Sequence, residues 1–166
     1  MPNDGWHGAP RPPRRSNAAG PEQIAGAMPE NIVVAVDGSE ASLKGLAIAE
    51  QLAKPTGAKL LLTCVILPFG EGTELEGMLP PGVHQRAQQE AEKIVSSVAS
   101  QTKGVEVEQL VLNGRPAETL ADLAEKRKAW LVVVGSRGRG AVARALLGSV
   151  ADRLVRICHQ PVLVVH

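Results

Sequence analysis

Residues Asn31–Ile66 read NIVVAVDGSEASLKGLAIAEQLAKPTGAKLLLTCVI, and this run decides the fold class. Asn31–Asp37 (NIVVAVD) is short, apolar and β-branched and ends in turn residues, the pattern of a buried strand. Ser39 is placed to cap a helix that extends to about Lys54, with Leu43, Leu46, Ala47 and Leu52 as its inward stripe. Pro55 and Gly57 stop that helix, and Lys59–Ile66 (KLLLTCVI) follows as a second buried strand. Two strands joined through a helix in this way make a right-handed parallel crossover.

The alternation continues outward from this unit. After a Gly/Pro-rich stretch from Leu67 to Gly82, a helix is expected from about Val83 to Ser100 and a third strand over Val105–Leu112. Asn113-Gly114-Arg115-Pro116 is a turn, with Pro116 at the first position of a helix carrying Leu120, Leu123 and Ala124. Trp130–Val134 reads as the fourth strand, Ser149–Cys158 as the last helix and Pro161–Val165 as the fifth strand. The sum is an α/β fold, a single doubly wound five-stranded parallel sheet with helices on both faces.

Composition agrees. Of 166 residues, 44% are hydrophobic, yet the aromatic ones are only Trp6, Phe69 and Trp130, so the core is aliphatic. A formal net charge of +1 supplies no broad basic field for nucleic acid. Cys64 and Cys158 sit in apolar contexts without a CxxC partner and read as buried thiols. The start of the chain carries no continuous apolar segment of the signal-peptide kind, and no run approaches the ~20 residues needed to span a bilayer; a cytoplasmic location is expected. Residues 1–29, rich in Pro, Gly and Arg, read as a flexible tail ahead of a domain covering 30–166. Its Arg11, Arg14 and Arg15 form a small basic cluster, suited to an acidic partner or to plain solvation.

The chemistry concentrates in VVVGSRGRGAVARALLGSVADRLV, residues 132–155. A buried strand ends at Gly135, Gly138 follows, and Gly148-Ser149 stands at the mouth of the last helix. Glycine at 135 and 138 permits a positive φ and lets a ligand approach where a Cβ would block it. Gly148, Ser149 and Val150 offer backbone N–H groups at a helix N-terminus, whose dipole favours an anion. The Ser149 hydroxyl can bond a phosphate oxygen or cap its own helix.

Asp37, at the carboxyl end of the first strand, is the second element. Ligands of open α/β sheets sit outside the carboxyl ends of strands where the order reverses. With strand order 3-2-1-4-5, Asp37 and Gly135 face each other across that crevice. The carboxylate there can bond ribose hydroxyls or an adenine amino group, or it can shape the turn and cap the first helix. GxxxxGK[ST], GxGxxG after the first strand and GxSxG are all absent. His7, His84, His159 and His166 lack acidic or cysteine partners at metal-ligand spacing.

Gly135-x2-Gly138-x9-Gly148-Ser149 after an apolar strand, together with IVVAVDGS, resembles the universal stress protein family, ATP-binding branch. NGRPAETL and the closing QPVLVV extend the likeness over about Asn31 to His166. The resemblance implies an adenine nucleotide alpha hydrolase-like fold and a site for ATP. Ala35, Val36, Asp37 and Val65 would line the adenine and ribose side. Val134, Gly135, Ser136, Arg137 and Gly138 would hold the ribose and α-phosphate, and Gly148, Ser149 and Val150 the outer phosphates. Arg137 and Arg139 fill variable positions, where they neutralise phosphate or stand in solvent. A homodimer through the last strand, Pro161–Val165, is also implied.

Three functions follow as alternatives: a regulatory ATP-binding protein of the stress response, a slow ATPase, or a nucleotide-independent dimeric interaction module. Adenine contacts in such a site come largely from backbone and small residues, so ATP, ADP and cyclic AMP fit the same reading. Mg2+ would arrive with the phosphates, because no all-protein cage is visible. The Leu67–Gly82 stretch reads as a connection, with a lid over the nucleotide as its other reading.

Overall fold

A computed structural model describes residues 30–68, 82–138 and 147–166. The elements run β1 (Asn31–Ala35), α1 (Glu40–Thr56), β2 (Lys59–Ile66), α2 (Val83–Gln101), β3 (Val107–Asn113), α3 (Pro116–Lys126), β4 (Leu131–Gly135), α4 (Ser149–Ile157) and β5 (Val162–Val165). All strand pairings are parallel, in the order β3-β2-β1-β4-β5. The doubly wound sheet expected from the sequence is therefore present, with element ends moved by one or two residues.

The central strands are buried on both faces, which is why β1, β2 and β4 are near-continuous apolar runs rather than alternating ones. Ile32, Val34, Leu60 and Leu62 face α1 and α2, against Leu46, Ala49, Ala53, Ala91, Val95 and Val98. Val33, Leu61, Val132 and Val134 face α3 and α4, against Ala117, Leu120, Ala124, Ala151 and Leu154. Each such Val or Leu contributes about 1.5–3 kcal/mol on full burial. Trp130 takes no part in this core and is 38% exposed.

The inward face of α1 differs from the expected stripe. Leu46 is buried and Leu52 is half-buried against the core, but Leu43 is 41% exposed and Ala47 is also exposed; Ser42, Gly45, Ala49 and Ala53 turn inward with Leu46. The reason is packing distance. A Cβ at Gly45 would lie 3.3 Å from Val133 Cγ1, so the helix approaches the sheet through its small residues and rotates Leu43 outward. Pro55 also falls inside the last turn of α1 rather than ending it. Gly57, at φ 70°, ends the helix by donating its N–H to the Ala53 carbonyl at 2.8 Å.

Pro116 stands at the first helical position of α3, as its missing N–H allows. No helix among the described residues is long and apolar enough to cross a membrane.

Candidate functional site

The carboxyl ends of β1, β2 and β4 open toward one side of the sheet, and the chain order reverses between β1 and β4. After β1, Asp37 Oδ1 accepts the Ser39 N–H at 2.9 Å and the Ser39 hydroxyl at 2.6 Å, closing a tight turn. Gly38 at φ 78° makes that turn accessible. Ser39 then caps α1, its Oγ accepting the Ser42 N–H at 3.3 Å. Asp37 thus shapes the turn and stands in the crevice at once.

The three motif glycines sit at points of close approach, tightest against backbone at Gly135. None of them has φ in the left-handed region, contrary to the positive φ expected for Gly135 and Gly138. A Cβ at Gly135 would lie 2.9 Å from the Ser42 backbone N and 3.0 Å from the Ala41 carbonyl carbon. One at Gly138 would lie 2.7 Å from Asp37 Oδ2, and one at Gly148 3.1 Å from the Ser136 carbonyl oxygen. Real Cβ atoms essentially never sit under 3.0 Å from another heavy atom. β4 and its loop are pressed against α1 and the β1 turn at the points where side chains are absent.

Gly148 is the N-cap of α4, in extended backbone, and no side chain caps the helix. Its N–H donates to the Ser136 carbonyl at 2.7 Å, and its carbonyl accepts from Asp152 at 2.9 Å. The amides of Ser149, Val150 and Ala151 precede that first intrahelical bond and have no partner within the helix, which makes this end suited to an anion. Ser149 is the first helical residue and exposed, so it does not cap α4. Asp152, an acid in the same turn, is drawn to Arg156 at 2.9 Å, which holds its carboxyl below the usual range.

These elements enclose a cavity of about 400 Å³, within the range of about 300–1,000 Å³ typical of small-molecule sites. Ala35, Val36, Asp37, Val65, Val134, Gly135, Arg137, Gly138, Gly148, Ser149 and Val150 all line it. Ser136 does not. It is buried, with its N–H bonded to the Val165 carbonyl at 2.6 Å and its carbonyl to Gly148, so it joins β4 to β5 and α4 behind the wall.

Thr63 and Cys64 of β2, Ser42 of α1, Pro116 and Leu120 of α3, and Ala151 complete the lining and were not singled out from the sequence. Pro116 and Leu120 were legible as one face of α3, four residues apart. What spacing does not convey is that this face closes over the end of β2. A bridge from Arg153 to Glu118 at 3.1 Å ties α4 to α3 beside the cavity.

Among the described residues, no cluster of His, Cys, Asp or Glu is arranged to hold a metal ion. Arg139 and the interior of the Leu67–Gly82 stretch, read as a connection or a lid, lie outside the described residues, as do Arg11, Arg14 and Arg15.

A parallel sheet in the order 3-2-1-4-5, with a cavity at its switch point floored by glycines and ended by an uncapped helix, defines a doubly wound α/β domain. The chain belongs to the universal stress protein family, whose model matches residues 28–166. It is 38% identical over 140 residues to universal stress protein MJ0531 of Methanocaldococcus jannaschii, covering 82% of this chain and 81% of that protein. A universal stress protein of Thermus aquaticus is 34% identical over 140 residues, covering 82% and 98%. Among solved structures, a universal stress protein in complex with cAMP superposes with a TM-score of 0.64 at 29% identity, over 84% of this chain and 98% of that one.

Proposed function

We propose that this protein binds ATP in the cavity between β1 and β4 and acts as a regulatory protein whose nucleotide-bound state is read by partners. The observation that carries the reading is the set of three glycines whose Cβ positions are taken by Ala41 and Ser42, by Asp37 and by Ser136, beside the uncapped end of α4. Ala35, Val36, Asp37 and Val65 take the adenine and ribose side. Val134, Gly135, Arg137 and Gly138, backed by Ser136, take the ribose and α-phosphate. Gly148, Ser149 and Val150 receive the outer phosphates, with Mg2+ arriving alongside them.

The family relative solved with cAMP supports an adenine nucleotide as the ligand class. Binding is favoured over turnover because Asp37, the carboxylate in the cavity, has Oδ1 committed to Ser39. Isothermal titration with ATP, on protein stripped of the nucleotide it carries, tests the proposal. The wild-type chain binds one equivalent, and Gly148→Val/Ser149→Leu abolishes the heat; equal binding by both would refute it.

The same reading assigns a homodimer to β5, which pairs among the described residues with β4 alone and carries half-buried Val162, Leu163 and Val164. A second copy adding its own β5 antiparallel across a two-fold axis would cover that edge. Light scattering should give twice the 17.4 kDa chain mass; the single-chain mass would exclude it.

A further inference from the structure

Ser39 lies outside the cavity lining, yet its hydroxyl stands between the β1 turn and the loop after β4. Its hydroxyl is 2.6 Å from Asp37 Oδ1 and 3.3 Å from the Arg137 carbonyl, 98 residues away in sequence. Its N–H donates to the same Asp37 oxygen at 2.9 Å, and its Oγ accepts from Ser42 at 3.3 Å. A serine hydroxyl has a single proton to donate. The shorter separation gives that proton to Asp37, leaving the Arg137 carbonyl within its reach.

Capping α1 requires only the acceptor side of this hydroxyl. The donor side does something else: it fixes the rotation of the Asp37 carboxylate, whose Oδ2 packs against Gly138 with no space for a methyl group between them. Asp37 and Gly138 both line the cavity, so the hydroxyl that fixes the Asp37 carboxylate also fixes how it seats against the loop after β4. From this juxtaposition we infer that Ser39 is a positioning residue for the nucleotide site, holding the Asp37 carboxylate in its ligand-facing orientation through the bond it donates. The inference rests on the nucleotide-binding reading above.

The cap and the positioning role separate by substitution. Glycine is nearly as good an N-cap as serine, so Ser39→Gly keeps α1 while deleting the donated bond. Ser39→Thr keeps both. ATP affinities are measured by titration for wild type, Ser39→Gly, Ser39→Thr, Asp37→Ala and the Ser39→Gly/Asp37→Ala double variant, each checked for an unchanged circular dichroism spectrum.

Ser39→Gly is expected to bind about tenfold more weakly, from one lost bond to a charged group. Ser39→Thr is expected to stay within about twofold of wild type, and the double variant within about twofold of Asp37→Ala alone. Wild-type affinity in Ser39→Gly, or losses that multiply in the double variant, would overturn the inference while leaving the nucleotide site standing. Failure of the wild-type chain to bind ATP would overturn both.

Discussion

Adding one methyl group at Gly138 should cost affinity without costing the fold. The new Cβ would be placed 2.7 Å from Asp37 Oδ2, so the carboxylate oxygen must retreat by a few tenths of an ångström. Retreat turns the carboxylate about its bond and stretches the 2.6 and 2.9 Å contacts of Oδ1 with Ser39. Turned out of line, the carboxylate forfeits a hydrogen bond to the nucleotide, worth about 1.5–3 kcal/mol for a charged group, which converts to roughly ten- to hundredfold in affinity. The fold itself has little to lose. Gly138 is exposed and its φ lies outside the left-handed region, so alanine meets no backbone strain there. Gly138→Ala is therefore expected to bind ATP at least about tenfold more weakly, with a melting temperature within about 3 °C of wild type. Titration calorimetry and a thermal melt read the two quantities on one preparation. Affinity within about twofold of wild type would refute the reasoning, because it would mean the carboxylate can move without consequence.

Three further outcomes are expected. Gly135→Ala meets backbone rather than a movable side chain, at 2.9 Å from the Ser42 N and 3.0 Å from the Ala41 carbonyl carbon; it should lower both ATP affinity and unfolding free energy, the latter by about 1–3 kcal/mol in a urea titration. Glu108 bonds Arg127, whose guanidinium holds its carboxyl below the ordinary 4.5; the stability this contributes is complete above pH 4.5 and lost as pH falls through the lower folded value. Glu108→Gln should accordingly flatten the loss of stability seen on acidification below that pH, measured by urea midpoints at pH 7, 4.5 and 3. Burial pushes the Cys158 thiol above its ordinary 9.0, so alkylation of Cys158, followed by mass spectrometry, should be slow at pH 8 and rise only at more alkaline pH than for a free thiol.

The parts of the molecule that depend on local chemistry were legible in the sequence. β2 could be bounded at Lys59–Ile66 because a continuous apolar run between turn residues has one reading in a parallel sheet. Ser39 and Pro116 announced their helices through the unpaired N–H groups that each tolerates or satisfies. The failures involve distance across the fold. The inward arc of α1 was misplaced because Gly45, Ala49 and Ala53 make the close contact while Leu43, the more hydrophobic residue, is left outside. The glycines were expected to admit a ligand and to take a positive φ; the atoms that crowd their Cβ positions are the protein's own, and none has a positive φ. Their neighbours are Ser42, Asp37 and Ser136, and two of these three contacts span about a hundred residues. Thr63, Cys64, Pro116 and Leu120 were missed for the same reason, since nothing in their spacing says that α3 closes over β2.

The central claim, that the glycine-floored cavity is an ATP site, is tested most directly by the nucleotide the protein carries with it. The full chain is purified without added nucleotide and denatured, and the supernatant is resolved on an anion-exchange column against ATP, ADP, AMP and cyclic AMP standards. ATP at close to one per chain, absent from Gly148→Val/Ser149→Leu prepared in parallel, is the expected result. An empty wild-type protein that also fails to take up added ATP would contradict the account.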